Sequence, residues 1–361
     1  MYLQLIINPG STSTKLALYR DEEKLAQENI VHDASQLAQY KDLADQTPMR
    51  MDCIREFLKR QGVEESALCA VVGRGGLLPG LKAGGYLMNE DLRIALSGPL
   101  SSPHASNLGG VLAYAIAKPL GIPAYIYDAV TSAELPPIAR ITGTPEVVRC
   151  SFCHALNARA QAIRYADSLG KDYKDMHLIV AHLGGGISLS AHAGGRIVES
   201  MGDDEGPFSP ERLGGLPLLE MLELCYDGRS KADMKKMIRG RGGLMAHLGT
   251  ADALEVQRRI DAGDEQAKAV YEALAYQVAK GIGQLAASQK GRVDAIILTG
   301  GIAYSALLTG WIAEYVSFIA PVAVLPGENE MEALALGGLR LLKQEEQPNC
   351  YTLPEGYKND Q

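Results

Sequence analysis

The chain has 361 residues, 35 Lys and Arg against 43 Asp and Glu, a formal charge of −8, and 47% hydrophobic residues. That hydrophobic share supports a buried core and excludes a disordered chain. An acidic balance without a basic run excludes a nonspecific nucleic-acid binder.

In chain order, apolar runs and alternation predict strands at residues 3–8 and 15–20, a helix at 48–61 and a short buried strand at 69–73. A helix at 107–120 and a strand at 123–127 follow, then a helix at 152–169 and two alternating strands at 178–183 and 187–193. Helices at 216–226, 231–238, 251–262 and 265–288 come next. Strand 295–298, helix 305–316, strand 322–325 and helix 331–343 close the pattern, leaving 344–361 as a surface tail. Strands alternating with helices indicate α/β layers, and the length suggests two domains. A weak repeat supports this: residues 3–18 and 178–191 each read as strand, small-residue turn, strand. No run reaches the roughly 20 apolar residues of a membrane span. The first ten residues lack the features of a signal peptide, so a cytoplasmic protein with reduced thiols is expected. Cys150-Ser-Phe-Cys153-His154 spells a haem-attachment motif and half a zinc site. Without an export signal or a second CxxC, two buried thiols flanking a useful histidine is the better reading.

Three turns carry the chemistry. Asn8-Pro-Gly-Ser-Thr-Ser-Thr-Lys15 joins two strands and is rich in backbone and hydroxyl donors, the makings of an anion nest, with Lys15 adding a charge. His182-Leu-Gly184-Gly185-Gly186-Ile-Ser188 repeats the design, and Gly300-Gly301 lies between a strand and a helix. Glycines that cost folding entropy are repaid where backbone lies against a ligand. Together the three turns point to a nucleotide site between two domains. Arg74 and Asp128 end strands, where α/β sheets place ligand groups, and Arg212 sits in an irregular Gly- and Pro-rich loop. Asp203-Asp204-Glu205 reads as a solvated approach to that loop.

These segments resemble the phosphate and adenosine motifs of the acetate and sugar kinase, Hsp70 and actin superfamily. Val71-Val-Gly-Arg-Gly-Gly-Leu-Leu78, Pro103-His-Ala-Ser-Asn-Leu-Gly109, Tyr127-Asp-Ala-Val-Thr-Ser-Ala-Glu-Leu-Pro-Pro137 and Asp203-Asp-Glu-Gly-Pro-Phe-Ser-Pro-Glu-Arg212 narrow the resemblance to the acetokinase family of short-chain acid kinases, and within it to the butyrate kinases. The resemblance implies an α/β fold of two similar actin/Hsp70-like (ribonuclease H-like) domains with mixed sheets, helices and an interdomain cleft. The domains would be 1–135 plus about 335–361, and 136–334. It implies ATP and ADP with Mg²⁺, a carboxylic acid and a nucleotide as partners, no nucleic acid, no membrane, and at least a homodimer.

Residue by residue, the resemblance implies phosphate contacts at Asn8, Ser13, Lys15, His182 and the Gly184–Gly186 turn, with Gly300, Gly301 and Asp252 on the nucleotide side. Arg74 and His104 would hold the acid. Arg74, Asp128, His154 and Arg212 would be catalytic, with Arg212 and His154 on the phosphoryl group. Asp128 would be an outer-sphere Mg²⁺ ligand or an orienter of Arg212, and Glu330 or Glu332 the metal-linked glutamate. Acetate, propionate or a branched acid is the alternative substrate. A nonenzymatic actin-type switch is the rival of another class, against which the paired arginines speak.

Overall fold

The computed structural model describes residues 1–355 and 357. The chain divides into two units: Met1–Ser132 with Asn329–Gln361, and Ala133–Glu328. The second boundary lies before the expected 335. It falls where β-structure ends and the helix Glu330–Leu342 begins, and it places Glu330 in the first unit.

The first unit is built on a six-stranded sheet of β1 (Leu3–Pro9), β2 (Ser13–Arg20), β3 (Glu23–Val31), β4 (Ala70–Arg74), β5 (Gly85–Leu87) and β6 (Ala124–Tyr127), in the order β3-β2-β1-β4-β6-β5. β1, β4 and β6 run parallel, whereas β2, β3 and β5 are antiparallel to their neighbours. Alternation divides the central strands between two faces. Leu5, Ile7 and Val71 join a core with Leu108 and Leu112 of the helix Asn107–Leu120. Gln4 and Val72 face the helix Glu330–Leu342, where a methyl on Gly338 would meet them. On the first face the backbones nearly touch: a Cβ on Gly109 would lie 2.6 Å from Arg74 O and 2.7 Å from Arg74 N.

The second unit has a five-stranded sheet of β7 (Leu178–Leu183), β8 (Ile187–Ala193), β9 (Arg196–Met201), β10 (Ala295–Gly300) and β11 (Val322–Pro326), in the order β11-β10-β7-β8-β9. β7, β10 and β11 are parallel, and β8 and β9 continue antiparallel. The order β9-β8-β7-β10-β11 repeats β3-β2-β1-β4-β6, so the two hairpins of the sequence repeat hold equivalent places. Ile179, Ala181 and Leu183 face a core shared with the long helix Glu265–Ser288. Leu178 and Val180 face Ala158, Ala162 and Ala166 of the helix Ala155–Ser168.

Three strands escaped the sequence. β3 is an edge whose residues are mostly exposed, so it lacks the alternation that marks a half-buried strand. β5 is too short to register, and β9 is another edge. The expected surface tail is also corrected. Asn349 donates its N–H to Gly85 O at 2.8 Å and accepts from Leu87 N at 3.0 Å, and Leu353 is 6% exposed in the first unit's core. The segment covers the β5 edge, which would otherwise leave backbone groups unpaired. Among the described residues no helix is long and apolar enough to cross a membrane.

His192 on β8 gives a testable pH dependence. It pairs across from Leu178 and lies against the same face, fully buried, bonded to Tyr173 Oη at 2.7 Å and Ser190 Oγ at 2.9 Å. Burial, with Arg159 adding to it, lowers its pKa to about 3. The unfolded chain, with an ordinary histidine, binds this proton below about pH 6.5. Stability is therefore fully present above that value and falls as pH drops towards 3. Between pH 6 and 4 the native chain is expected to lose about 1.4 kcal/mol more per pH unit than His192→Gln in urea unfolding. Parallel profiles would exclude the effect.

Candidate active site

In the first unit the parallel strands β1, β4 and β6 deliver Asn8, Arg74 and Asp128 to their carboxyl ends, the usual place for ligand groups in such sheets. Asn8 and Arg74 continue the face covered by the helix Glu330–Leu342, so the first residue of that helix is what they meet. Asn8 Nδ2 donates to Glu330 Oε2 at 2.7 Å, and Arg74 Nη1 forms an ion pair with Glu330 Oε1. Lys15 pairs with Asn8 across the β1–β2 ladder, which stands both side chains on one face. Ser13 caps the turn, its carbonyl accepting from Gly10 N at 2.8 Å.

Of the two glutamates singled out in the sequence, Glu330 is the one that meets Asn8 and Arg74. Glu332 is exposed, two residues along the helix, and acts on Tyr19, whose phenol pKa is raised by burial first and by Glu332 second. Asp128 is buried and holds φ at +40°. A positive φ is uncommon for a residue with a side chain. The bend is tied to Gly84, whose N–H donates to Asp128 Oδ1 at 2.7 Å and whose carbonyl accepts from Asp128 N at 3.1 Å. His104 is exposed, with Nδ1 accepting from Ser106 N at 3.2 Å, and it lines a cavity of about 500 Å³ with Leu43, Leu96, Asn107, Leu108 and Val111.

In the second unit the same logic applies. His182 on β7 and Thr299 on β10 face the helix Ala155–Ser168, and Asn157 of that helix bridges them, donating to His182 Nδ1 at 2.9 Å and to Thr299 Oγ1 at 3.3 Å. With Nδ1 accepting, the ring proton of His182 sits on Nε2, which lies 3.4 Å from Glu328 Oε1. Ser188 pairs with His182 across the β7–β8 hairpin. Its hydroxyl accepts from the N–H of His154 at 3.0 Å and is 2.8 Å from His154 Nδ1. The two imidazoles stack at 3.9 Å. Gly186 closes the group, since a Cβ there would lie 3.7 Å from His154 Cε1 and 3.9 Å from Arg212 Nε. The sequence-predicted His154, His182, Gly184, Gly185, Gly186 and Arg212 thus converge in one place.

Arg212 is aimed by a residue misjudged from the sequence. Asp203 is buried, not solvated, and accepts from Arg212 Nε at 3.1 Å and from Arg239 Nη2 at 2.7 Å. Glu205 is likewise engaged, by Arg149. Within the second unit the carboxylate that orients Arg212 at Nε is that of Asp203. The loop carrying Arg212 is pinned to the glycine turn by Ser209 Oγ, which donates to Gly185 O at 2.8 Å.

Two nucleotide-side expectations acquire structural explanations. Gly300 has φ +92°, and its Cβ would strike the Leu183 backbone, so the sheet itself requires glycine there. Gly301 is exposed beside open space. Asp252 is the N-cap of the helix Ala253–Asp261, with Oδ1 accepting from Leu254 N at 2.9 Å. Besides Asp203, the sequence reading missed Asn157, Ser188 and Glu328. Each acts through another side chain, and only Ser188, two residues beyond the glycines, carried a usable signal.

The acetokinase family matches residues 148–312. Over 97% of this chain and 100% of the relative, the sequence is 48% identical to the probable butyrate kinase 2 of Caldanaerobacter subterraneus subsp. tengcongensis. The fold is similar to that of an acetate kinase from Porphyromonas gingivalis (TM-score 0.77, 20% identity, covering 95% of this chain and 100% of that one). It is also similar to a propionate kinase from Francisella tularensis subsp. tularensis SCHU S4 (TM-score 0.74, 20% identity, 93% and 99%). At that identity the likeness bears on fold, and it supports the two similar domains of mixed sheet and flanking helices.

Proposed function

The chain belongs to the acetokinase family, and we propose that it transfers the γ-phosphoryl group of ATP reversibly to butyrate, giving butyryl phosphate and ADP. The class of reaction, an ATP-dependent phosphotransfer to a carboxyl group, comes with the family. The choice of butyrate rests on one observation, the 48% identity along the whole chain to a probable butyrate kinase.

A short-chain acid is ionised at pH 7, so the nucleophile needs no general base. The obstacle is charge. Two unit charges at 4 Å repel by about 4 kcal/mol at an effective dielectric of 20. In this reading Arg74 holds the acid carboxylate in planar geometry, with Glu330 on Nη1 fixing the guanidinium and His104 on the acid side. Arg212, steadied by Asp203, meets the transferring phosphoryl group, and His154 and His182 donate to it from Nε2. Asn8, Ser13 and Lys15 serve the phosphates in the first unit and the Gly184–Gly186 turn in the second, with Gly300, Gly301 and the remaining carboxylate oxygen of Asp252 towards the nucleoside.

Mg²⁺ arriving with ATP keeps waters and phosphate oxygens and asks for one or two carboxylates. Among the described residues no three His, Cys, Asp or Glu side chains cluster into a protein-only cage. The residues present fit that looser demand. Asp128, held by Gly84, would take a water-mediated place, and Glu330, already spanning Asn8 and Arg74, would orient rather than bind directly. When bound, the ion would neutralise charge on the β and γ oxygens. We place the enzyme in the cytoplasm as at least a dimer. The helix Leu218–Tyr226 buries none of its residues and exposes Leu218, Leu219, Leu222 and Tyr226, a face suited to a second copy.

The test is a steady-state comparison of acetate, propionate, butyrate, isobutyrate and valerate with ATP and Mg²⁺, trapping acyl phosphate as the hydroxamate. Butyrate should give the highest kcat/KM, with each methylene removed costing roughly 10-fold or more. Preference for acetate would move the reading to the alternative substrates, and no hydroxamate with any acid would end it.

A further inference from the structure

We infer that Arg50 is the positioning residue of the first phosphate turn, holding the Gly10–Thr14 segment from beneath with a buried guanidinium. This rests on reading that turn as an ATP phosphate site. Arg50 lies on the helix Thr47–Arg60 and is 0% exposed. All five of its N–H groups are used. Nη1 donates to Ser13 O at 2.9 Å and Thr14 Oγ1 at 2.8 Å, Nη2 to Gly10 O at 2.9 Å, and Nη2 and Nε to Gln46 Oε1 at 2.9 and 3.2 Å. Every acceptor is neutral, and among the described residues no carboxylate pairs with Arg50.

A buried cation is normally matched by an anion, and leaving one unmatched is costly. Here the hydrogen bonds satisfy its donors while its charge stays uncancelled under the turn. Burial accordingly lowers the Arg50 pKa. Thr14 Oγ1 also contacts His32 Nε2 at 2.8 Å, and His32 is held below its ordinary pKa by burial and by Arg50, which disfavours a second positive charge beside the guanidinium.

The geometry turns this into a preorganised anion site. In a trans peptide the carbonyl and the N–H point opposite ways, and among the described residues no peptide bond is cis. Because Gly10 O is drawn down to Arg50, the Ser11 N–H of the same peptide unit points away from the guanidinium. Ser11 and Thr12 are exposed at the tip. An incoming phosphate would thus meet an outward N–H, two hydroxyls and the field of an uncompensated cation. Lysine at position 50 would keep the charge but, with three donors and no planar fork, could not reach all four acceptors.

The experiment uses the full chain and compares Arg50→Lys and Thr14→Val with the native protein. KM for ATP is measured at saturating butyrate, KM for butyrate at saturating ATP, and the thermal shift is recorded on adding ADP with Mg²⁺. Arg50→Lys should raise KM for ATP about tenfold and shrink the ADP-induced shift, with KM for butyrate staying within twofold. Thr14→Val, which removes one acceptor and leaves the helix intact, should move the same quantities in the same direction by about threefold, and it decides the matter if Arg50→Lys fails to fold. Unchanged ATP and ADP responses, or equal changes in both KM values, would overturn the inference. Absence of turnover by the native protein would instead strike at the kinase reading.

Discussion

Arg212→Ala should lower kcat by about 10³-fold while leaving KM for the acid within a few-fold, and Arg74→Ala should lower kcat/KM for the acid by a similar factor, mainly through KM. The asymmetry follows from what each guanidinium is expected to touch. A cation that meets the phosphoryl group acts where charge is redistributed in the transition state, and such arginines contribute about 10³–10⁵ to turnover. A cation on the acid carboxylate acts before and during the reaction, so its loss appears as weaker binding as well. Arg212 is anchored at Nε by Asp203, and Arg74 at Nη1 by Glu330, so neither side chain spends much freedom on binding. Lysine at either position should recover little, because it restores charge without the planar fork. If Arg74→Ala keeps kcat/KM within tenfold of the native value, the carboxylate is held elsewhere.

The second large effect concerns a glycine. Gly109→Ala should destabilise the protein by about 1–3 kcal/mol, as overpacking of a close contact does, and should lower kcat/KM by about 10²-fold. Helix propensity alone gives the opposite sign, because alanine in a helix interior is favoured over glycine by about 1 kcal/mol. Gly109 lies within the helix Asn107–Leu120, yet its Cβ would stand 2.6 Å from the carbonyl oxygen of Arg74. The helix must retreat or β4 must shift, and either displaces the residue assigned to the acid. A misplacement of about 1 Å costs on the order of 10²-fold in a positioned site. Melting temperature and kcat/KM measured together check both parts. A Gly109→Ala protein that is more stable than the native chain and fully active would show that this contact relaxes freely.

Much of this molecule is legible without coordinates. An apolar run that ends in a small-residue turn and resumes as an alternating strand can hardly be anything but a hairpin, which is why β1 with β2 and β7 with β8 were readable, as was the repeat that they form. Arg74 and Asp128 could be singled out because a charged residue directly after a buried strand must emerge at its carboxyl end. Composition and alternation alone could establish this much, since periodicity is a local property of the chain. The resemblance then implied roles for these residues.

What lay beyond the sequence depends on which helix covers which sheet face. Glu330 and Glu332 are both acidic and both in the first turn of one helix. Only the packing of that helix on the Gln4 and Val72 face brings Glu330 to Asn8 and Arg74 and leaves Glu332 exposed. Asp203 looked like one acid of three in a polar loop, but it is buried and anchors Arg212 and Arg239. Arg50 lies within the expected helix at 48–61 without any local signal to single it out, and only the fold places it under the first turn with every donor occupied. The sequence alone determined the central strands, the hairpin turns between them and the charges at their ends, because these follow from neighbours along the chain. The partner that each charge meets was decided by tertiary structure alone, because packing brings it up from elsewhere in the chain, as Glu330 comes to Asn8 from 322 positions away and Gly10 to Arg50 from 40.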